Sequence, residues 1–420
     1  MYKKLVTALV IASTVAAAQL PLSFDVSAAE AAKKEKKKRP TQLVGPSVGK
    51  KVQKAFELYS TDDIDGALVL LLDIEAKKVY DKAYVDRFIA VMYATKGNEE
   101  AKAIKYLKLA VAPDILNEGD HGESIKLLAD LQMQTKAYKE ALVNYKAWMD
   151  FTGKEDADTY VKIANAYYSI RRLDKIIEPA DKAIALFGDK HNQNPYILKI
   201  TSYYERKMYK DAVDVLETVV QIFPKNKQWW TQLGMFYLLI EDYNKAVQTL
   251  DLAYKQGFLE KESEIKTLAN LYSQSGAPFK AAKLLEKHIG TGLVKRDETN
   301  IGSLANAYHS AQNIGIAAKY YGELAKLTNE AQHYRKQGML LKQDEQFKSA
   351  IVVLNQAIDK GAKNKGRLYM SLAESHFYLG QYKKAYAEIK KAMKDPKTRK
   401  SAKGWVSFIE DTARRKNVAI

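Results

Sequence analysis

The stretch KQWWTQLGMFYLLIEDYNKAVQTLDLAYKQG, from Lys227 to Gly257, places small and large residues at regular helical intervals. With Lys227 counted as position 1, Gly234, Ala246 and Ala253 occupy positions 8, 20 and 27. Small side chains at these positions allow two helix axes to approach to about 8–10 Å. Large residues at positions 4, 7, 11, 17 and 24 would fill the space between these helices and their neighbours. The stretch therefore predicts two antiparallel helices joined by a short turn.

The same spacing recurs in ten units that begin 33 to 38 residues apart. The residues at position 9 of the successive units are Phe56, Met92, Asp130, Asn165, Thr201, Met235, Asn270, Asn306, Met339 and Glu374. A single helix pair cannot bury its own apolar surface, so such units stack on one another. The pattern resembles the tetratricopeptide (TPR) repeat signature. It predicts an all-α fold, a right-handed α-α superhelix (solenoid) of about ten TPR helix-turn-helix repeats with a C-terminal capping helix.

Tyrosine stands at position 11 of five consecutive units, at Tyr167, Tyr203, Tyr237, Tyr272 and Tyr308. A stripe at this spacing is typical of core packing rather than of a ligand cage. The phenolic hydroxyl can form a hydrogen bond at the rim of the core.

Four segments are predicted along the chain: a secretory signal peptide (1–29), a basic flexible arm (30–47), the array of ten repeats (48–398), and the capping helix and tail (399–420). The basic MYKK, the apolar run from Leu5 to Ala18 and the small residues near Ala28/Ala29 together indicate a cleaved signal. An uncleaved anchor is the alternative, but the apolar run is shorter than the roughly 20 residues of a membrane span. The expected location is the periplasm.

Composition excludes several kinds of active site. The chain of 420 residues has no cysteine, which removes disulfides, thiolate metal sites and cysteine nucleophiles. Its six histidines are scattered singly, and the sequence predicts no Walker loop, no HExxH motif and no GxSxG elbow between a strand and a helix. Because signal, arm, repeats and cap account for the sequence, we predict a protein that is not an enzyme and has no cofactor or metal site.

Function is then expected on a surface. In TPR superhelices the first helix of each repeat lines a concave groove, which implies that positions 2, 5, 9 and 12 meet a partner. The candidate groove residues are Asn165, Thr201, Tyr204, Thr231, Met235, Lys266, Asn270, Asn306, Arg335, Met339, Lys342, Arg367, Met370 and Phe377. Amides can bind the backbone of an extended peptide, and methionines suit adaptable recognition. The competing interpretation is that these are ordinary residues of a repeat face.

The carboxylate clamp, which in other TPR proteins holds a chaperone tail, is matched only in part. Lys266 and Asn270 stand where the clamp requires Lys and Asn, but Ser303, Gln332 and Lys336 stand at its remaining positions. The clamp is therefore not predicted.

A further resemblance runs along the region that follows the arm. The stretch from Val48 to Val111, VGKKVQKAFELYSTDDIDGALVLLLDIEAKKVYDKAYVDRFIAVMYATKGNEEAKAIKYLKLAV, resembles exported TPR proteins of gammaproteobacteria that are described as components of TonB systems. The resemblance implies a periplasmic accessory of the TonB, ExbB and ExbD machinery, which drives siderophore or haem uptake through outer-membrane receptors. Two alternatives stay open: a scaffold for cell-wall synthesis or polysaccharide export, and a regulator of an enzyme.

The expected partners are proteins, among them TonB-system components, and not nucleic acid. The formal net charge is +17, and residues 30–51 hold eight Lys/Arg and two Glu. This arm could contact an anionic membrane or lipopolysaccharide, or it could serve only as a solubilising tether. The sequence does not determine the oligomeric state.

Overall fold

The computed structural model describes residues 39–420, which form helices and no strand. The predicted signal peptide and the first half of the basic arm, residues 30–38, lie outside the described residues. The helices are α1 Pro46–Ser60, α2 Ile64–Leu72, α3 Val79–Lys96, α4 Glu100–Val111, α5 Glu118–Gln134, α6 Tyr138–Thr152, α7 Ala157–Ser169, α8 Ile177–Phe187, α9 Asn194–Glu205, α10 Tyr209–Ile222, α11 Lys227–Leu239, α12 Tyr243–Lys255, α13 Glu262–Gln274, α14 Pro278–Gly290, α15 Glu298–Ser310, α16 Ile314–Thr328, α17 Ala331–Gln343, α18 Phe347–Asp359, α19 Lys365–Tyr378, α20 Tyr382–Met393 and α21 Arg399–Arg415.

These helices belong to two compact bodies. The N-terminal body comprises residues 39–222 with α1–α10, and the C-terminal body comprises residues 223–420 with α11–α21. Within each body every helix packs against the helix before it and the helix after it. The predicted fold class is confirmed, because the described residues form ten helix pairs followed by one further helix.

Aspartates at helix N-termini define where several helices begin. The side chain of Asp156 accepts a hydrogen bond from the backbone N–H of Thr159 at the start of α7. Asp297 does the same for the N–H of Asn300 at the start of α15. Each bond satisfies a backbone donor that has no partner inside its helix, so these residues fix the phase of the helices that follow.

The small residues of the repeat lie where helices of one pair touch. A Cβ atom placed on Gly234 would lie 2.5 Å from Cγ of Leu250, and one on Gly338 would lie 2.7 Å from Cδ2 of Leu354. Both glycines are at position 8 and both leucines at position 24. The close approach predicted from the spacing is therefore confirmed at these two repeats.

The tyrosines at position 11 differ from one repeat to another. Tyr308 is completely buried and Tyr272 is nearly so, whereas Tyr167 and Tyr203 are only half-buried. The hydroxyl of Tyr308 donates to Oε2 of Glu286 at 2.6 Å, and that of Tyr272 donates to Oδ1 of Asp251. Both carboxylates are at position 25 of the preceding repeat, so the predicted hydrogen bond at the rim joins neighbouring repeats.

The residues just before the array are held by it. Arg39 donates to the carbonyl oxygen of Asp114 at 2.9 Å, and the backbone N–H of Gln42 donates to Oδ1 of Asn117 at 2.8 Å. The sequence predicts a flexible arm up to residue 47, whereas Arg39 and Gln42 contact the loop before α5 and α1 begins at Pro46. The difference arises because backbone and guanidinium donors of this segment find acceptors in that loop.

The last helix, α21, has one apolar face. Ala402, Val406, Ile409 and Ala413 are buried, and the first three belong to one core cluster with residues of α20. Its opposite face carries charged residues, as expected for a helix that covers the preceding pair. None of the helices within residues 39–420 combines the length and the apolar character that a bilayer span requires.

Candidate functional site

The predicted groove residues differ in how far they are accessible. Asn270, Asn306, Arg335 and Arg367 are exposed. Met339 is 36% exposed. The other predicted residues, except two on α11, are half-buried: Asn165, Thr201, Tyr204, Lys266, Lys342, Met370 and Phe377. Most of the accessible candidates therefore lie in the C-terminal body.

Two predicted groove residues are wrong as surface candidates. Thr231 is 4% exposed and Met235 is 8% exposed, and both are on α11. Seven of the thirteen residues of this helix are buried, Trp229 and Phe236 among them. A helix that is covered on several sides behaves as a core element, so positions 5 and 9 of this repeat offer no surface to a partner.

A polar cleft of about 470 Å³ lies between α15, α16 and α17. Its lining includes the predicted residues Asn306 and Arg335, together with Lys336, Tyr321 and Glu298. Two cations and one carboxylate thus face this cleft, and we call it the polar cleft below.

Asn306 is held at the edge of the polar cleft by two neighbours. Its Oδ1 atom accepts from the hydroxyl of Tyr321 on α16 and from Nζ of Lys336 on α17, the latter at 3.1 Å. The Lys336 amine also lies 4.4 Å from the centre of the Tyr321 ring. The carbonyl side of the amide is therefore engaged within the protein, and the NH₂ side is the part that can serve a ligand.

Burial and the nearby Arg335 guanidinium lower the pKa of Lys336 below its ordinary value. Both causes disfavour the charged amine, and no carboxylate contributes to the opposite effect. A carboxylate from a ligand would supply the missing counter-charge. The polar cleft is therefore suited to an anionic group.

The N-terminal body contains the same set of hydrogen bonds, but with an aspartate in place of the asparagine. Asp130 is at position 9, as Asn306 is, and its Oδ1 accepts from the hydroxyl of Tyr145 at 2.5 Å. Nζ of Lys162 lies 2.8 Å from the same oxygen. Here the acceptor is a carboxylate, which neutralises the lysine inside the protein.

A second cleft of about 580 Å³ lies beside α17 and α19. Lys336 lines this cleft as well, together with Met339, Leu340, Phe347 and Tyr378. The rings of Phe347 and Tyr378 stack at 5.0 Å, and Tyr378 is 59% exposed. We call it the apolar cleft; it presents methionine and aromatic surface next to the amine of Lys336.

Three predicted residues have structural partners near this cleft. Lys342 forms an ion pair with Glu374 on α19, so its charge is compensated. Phe377 packs against Trp405 and Phe408 of α21, with ring centres 5.7 and 5.0 Å away. Met370 packs against the same core cluster. These side chains chiefly hold α19 in place.

Two predicted arginines and one amide remain available. The side chains of Arg335, Arg367 and Asn270 form no ion pair or hydrogen bond with another described residue. Lys266 lies 3.7 Å from Glu262 of its own helix. The two residues that match the carboxylate clamp are thus a compensated lysine and an accessible asparagine.

Sequence reasoning did not select Lys336, Tyr321, Phe347 or Tyr378 for the groove. A signal for the first two exists, because both clusters combine tyrosine at position 24 with lysine at position 6 of the next repeat. Phe347 and Tyr378 lie outside the four positions considered, and only the packing of α18 against α19 brings them to the cleft.

No group of three or more His, Cys, Asp or Glu side chains that could hold a metal ion occurs within residues 39–420. What the two clefts offer instead is the cations Arg335 and Lys336 beside the Asn306 amide, together with apolar side chains. Carboxylates line them as well: Glu298 in the polar cleft, and Glu345 and Glu374 in the apolar cleft, where Glu374 is paired with Lys342. This chemistry suits binding of an anionic and partly apolar segment.

No family model matches the chain. A stretch of 95 residues is 30% identical to the general transcriptional corepressor ssn6 of Schizosaccharomyces pombe, which covers 21% of this chain and 8% of that protein. The chain thus spans a small fraction of that relative.

Among solved structures, the chain is similar to a tetratricopeptide repeat protein from Parabacteroides merdae, with 11% sequence identity and a TM-score of 0.34. The match covers 78% of this chain and 99% of that chain. It is also similar to the C-terminal part of a TPR repeat-containing protein from Cytophaga hutchinsonii, with 14% identity, coverage of 65% and 96%, and a TM-score of 0.36. Scores of this size carry no argument about function. The assignment to stacked helix pairs of the TPR type therefore depends on this chain's own helices and packing. Proteins built from such repeats generally serve as protein-interaction scaffolds.

Proposed function

We propose that this protein is a non-enzymatic adaptor that binds an extended segment of a partner protein in the C-terminal body, across the polar cleft and the apolar cleft. The observation that carries the proposal is Lys336, which lines both clefts and has an amide rather than a carboxylate as its neighbour. The shared residue makes the two clefts adjacent parts of one surface.

The chemistry of this surface describes the segment. A carboxylate, from an acidic side chain or a chain terminus, would bind Lys336 and Arg335 through charge-assisted hydrogen bonds. An apolar side chain next to it would pack on Met339, Phe347 and Tyr378. Methionine and aromatic side chains favour such contacts because they adapt their shape and bury a large area.

A binding measurement tests the groove. Lys336→Gln should weaken binding of the partner segment about tenfold, because a charged hydrogen bond contributes about 1.5–3 kcal/mol. Lys326→Gln is a matched control, since Lys326 is an exposed lysine on α16 that lines neither cleft. Equal affinities of the two variants would show that the partner binds elsewhere.

The resemblance to exported proteins of TonB systems supports a more specific proposal. We propose that the adaptor works in the periplasm and that its partner is a component of the TonB, ExbB and ExbD machinery for siderophore or haem uptake. The signal-like N-terminus, with cleavage near Ala28/Ala29, is consistent with this location.

In-cell crosslinking from a photoreactive residue at position 335 tests this identity, with position 326 as the control site. Recovery of a TonB-system protein from position 335 alone is the expected result. Recovery of cell-wall or polysaccharide-export machinery instead would overturn the TonB assignment and favour the envelope scaffold. Normal growth of a deletion strain on scarce siderophore or haem iron would also contradict it.

A further inference from the structure

Positive charge is concentrated at one end of the described structure. Residues 360–420 contain 16 Lys/Arg and 5 Asp/Glu, a formal charge of +11. Residues 52–359 contain 41 Lys/Arg and 42 Asp/Glu and are almost neutral. The excess therefore belongs to α19, α20 and α21 and their connections rather than to the repeats in general.

The carboxylates of this end are already engaged. Glu374 pairs with Lys342, Glu388 with Lys391, and Asp411 with Arg414, while Glu410 accepts from the Tyr386 hydroxyl and Asp395 from the backbone N–H of Lys397. Little internal negative charge remains for the other cations.

The turn from α20 into α21 holds the densest group of these cations. Lys394, Lys397, Lys400 and Lys403 are exposed, and none forms a side-chain ion pair or hydrogen bond with another described residue. We call these four residues the lysine turn. Like charges this close repel one another, which favours an anionic binding partner.

The lysine turn differs from the groove, where the Arg335 guanidinium and the Asn306 amide accompany Lys336. Arginine is the usual choice for planar, bidentate recognition of a single carboxylate, whereas lysine is a hydrated point charge on a flexible stem. The four lysines line neither the polar cleft nor the apolar cleft. Flexible point charges outside those clefts suit an extended anionic surface better than one defined ligand group.

An exposed aromatic ring accompanies the lysine turn on α21. Phe408 is 47% exposed, although its ring packs against Phe377 and Trp405 at 5.0 and 5.7 Å. The buried face of α21 packs on α20, and Lys400, Lys403 and Phe408 lie on the part of the helix that stays exposed. Basic residues with an exposed aromatic are the usual composition of helices that lie at a membrane interface.

We propose that the lysine turn and Phe408 form a docking surface for an anionic phospholipid bilayer. The lysines would lie among the negative headgroups, and the Phe408 ring would enter the headgroup region. The surface is separate from the partner-binding groove, so one protein could hold a partner segment while it rests on a membrane.

Vesicle sedimentation of the full chain tests the proposal. The protein should sediment with vesicles that mix phosphatidylglycerol and phosphatidylcholine and not with pure phosphatidylcholine vesicles, and added salt should weaken the binding. Replacing all four lysines of the turn by glutamine should lower the partition coefficient at least about tenfold. Replacing Lys77, Lys108, Lys139 and Lys146 by glutamine is the matched control, because these are also four exposed lysines without an ion pair to a described residue.

The comparison is repeated with Lys33, Lys34, Lys36, Lys37 and Lys38 replaced by glutamine, so that the N-terminal charges do not hide the effect. Phe408→Gln is a second variant; it should weaken vesicle binding while the salt dependence persists. Circular dichroism checks that each variant is folded. Equal losses in the turn variant and its control, or no sedimentation with anionic vesicles, would overturn the proposal, and neither result bears on the groove.

Discussion

The N-terminal and C-terminal bodies contain the same polar cluster with one difference. In both, a buried tyrosine at position 24 and a lysine from the next repeat donate to the side chain at position 9. That side chain is Asp130 in the first cluster and Asn306 in the second. Asp130 and Asn306 therefore each join two neighbouring repeats.

The exchange of a carboxylate for an amide decides what each cluster can attract. The carboxylate of Asp130 balances the charge of Lys162, whereas Asn306 leaves Lys336 uncompensated and next to Arg335. An asparagine at position 9 can therefore act through the charge it does not neutralise rather than through its own contact with a ligand.

The largest effect is expected from removal of the tyrosine rings. Tyr145 is completely buried and Tyr321 is 2% exposed, so Tyr145→Ala and Tyr321→Ala each leave a cavity. Each variant should lose about 3–5 kcal/mol of unfolding free energy in urea denaturation. Tyr243→Ala, at a tyrosine that is 49% exposed, is the control and should lose far less. A small loss at Tyr321 alone would show that its ring does not serve as core and that the clusters are not equivalent.

These tyrosines also show what sequence reasoning can reach. Periodicity is enough to predict the helix pairs, because close approach at Gly234 and Gly338 requires small residues at one fixed position. It also predicts that tyrosine hydroxyls lie at the rim of the core, as Tyr272 and Tyr308 confirm. Both features follow from residue type at fixed positions of the repeat, within one helix pair for the glycines and between neighbouring repeats for the tyrosines.

The groove residues were harder to predict for a physical reason. A repeat position specifies a direction on a helix, but accessibility depends on what covers that direction, and α11 is covered where Thr231 and Met235 stand. Charge availability depends on partners from other repeats, as the pairing of Lys342 with Glu374 shows. Neither quantity is contained in the spacing of a single repeat.

A third polar cluster surrounds Glu286 in the C-terminal body, and it tests how much a carboxylate charge contributes to stability. Partial burial alone would raise the pKa of Glu286, but hydrogen bonds from Lys283, Tyr308 and Tyr320 lower it to about 2. Because the folded-state pKa lies below the ordinary value, the stabilisation is present above about pH 4.5 and is lost as pH falls towards 2.

Glu286→Gln should therefore lower the unfolding free energy by about 1–2 kcal/mol at pH 7, since the amide has no charge and one acceptor oxygen in place of two. The variant should also lose less stability than the unmodified protein between pH 5 and pH 3, because it has no carboxylate at position 286 to be protonated. Thermal unfolding at these pH values measures both effects. Glu345→Gln is the control, because Glu345 is exposed and forms no ion pair with a described residue. An unchanged pH profile in the Glu286 variant would contradict the assignment.

The smallest effect on stability is expected from exchanging the two position-9 residues. Asn306→Asp gives Lys336 the carboxylate that Lys162 already has, and Asp130→Asn removes that carboxylate from the other cluster. Since both sites are partly exposed, each change should alter the unfolding free energy by less than about 1 kcal/mol, upward for the first and downward for the second.

The effect on binding should be larger than the effect on stability. Asn306→Asp should weaken binding of the segment crosslinked from position 335 about tenfold, because its carboxylate competes for Lys336. Asp130→Asn should leave that affinity unchanged, and a loss there as large as at Asn306 would show that the two clusters do not differ through charge at the groove.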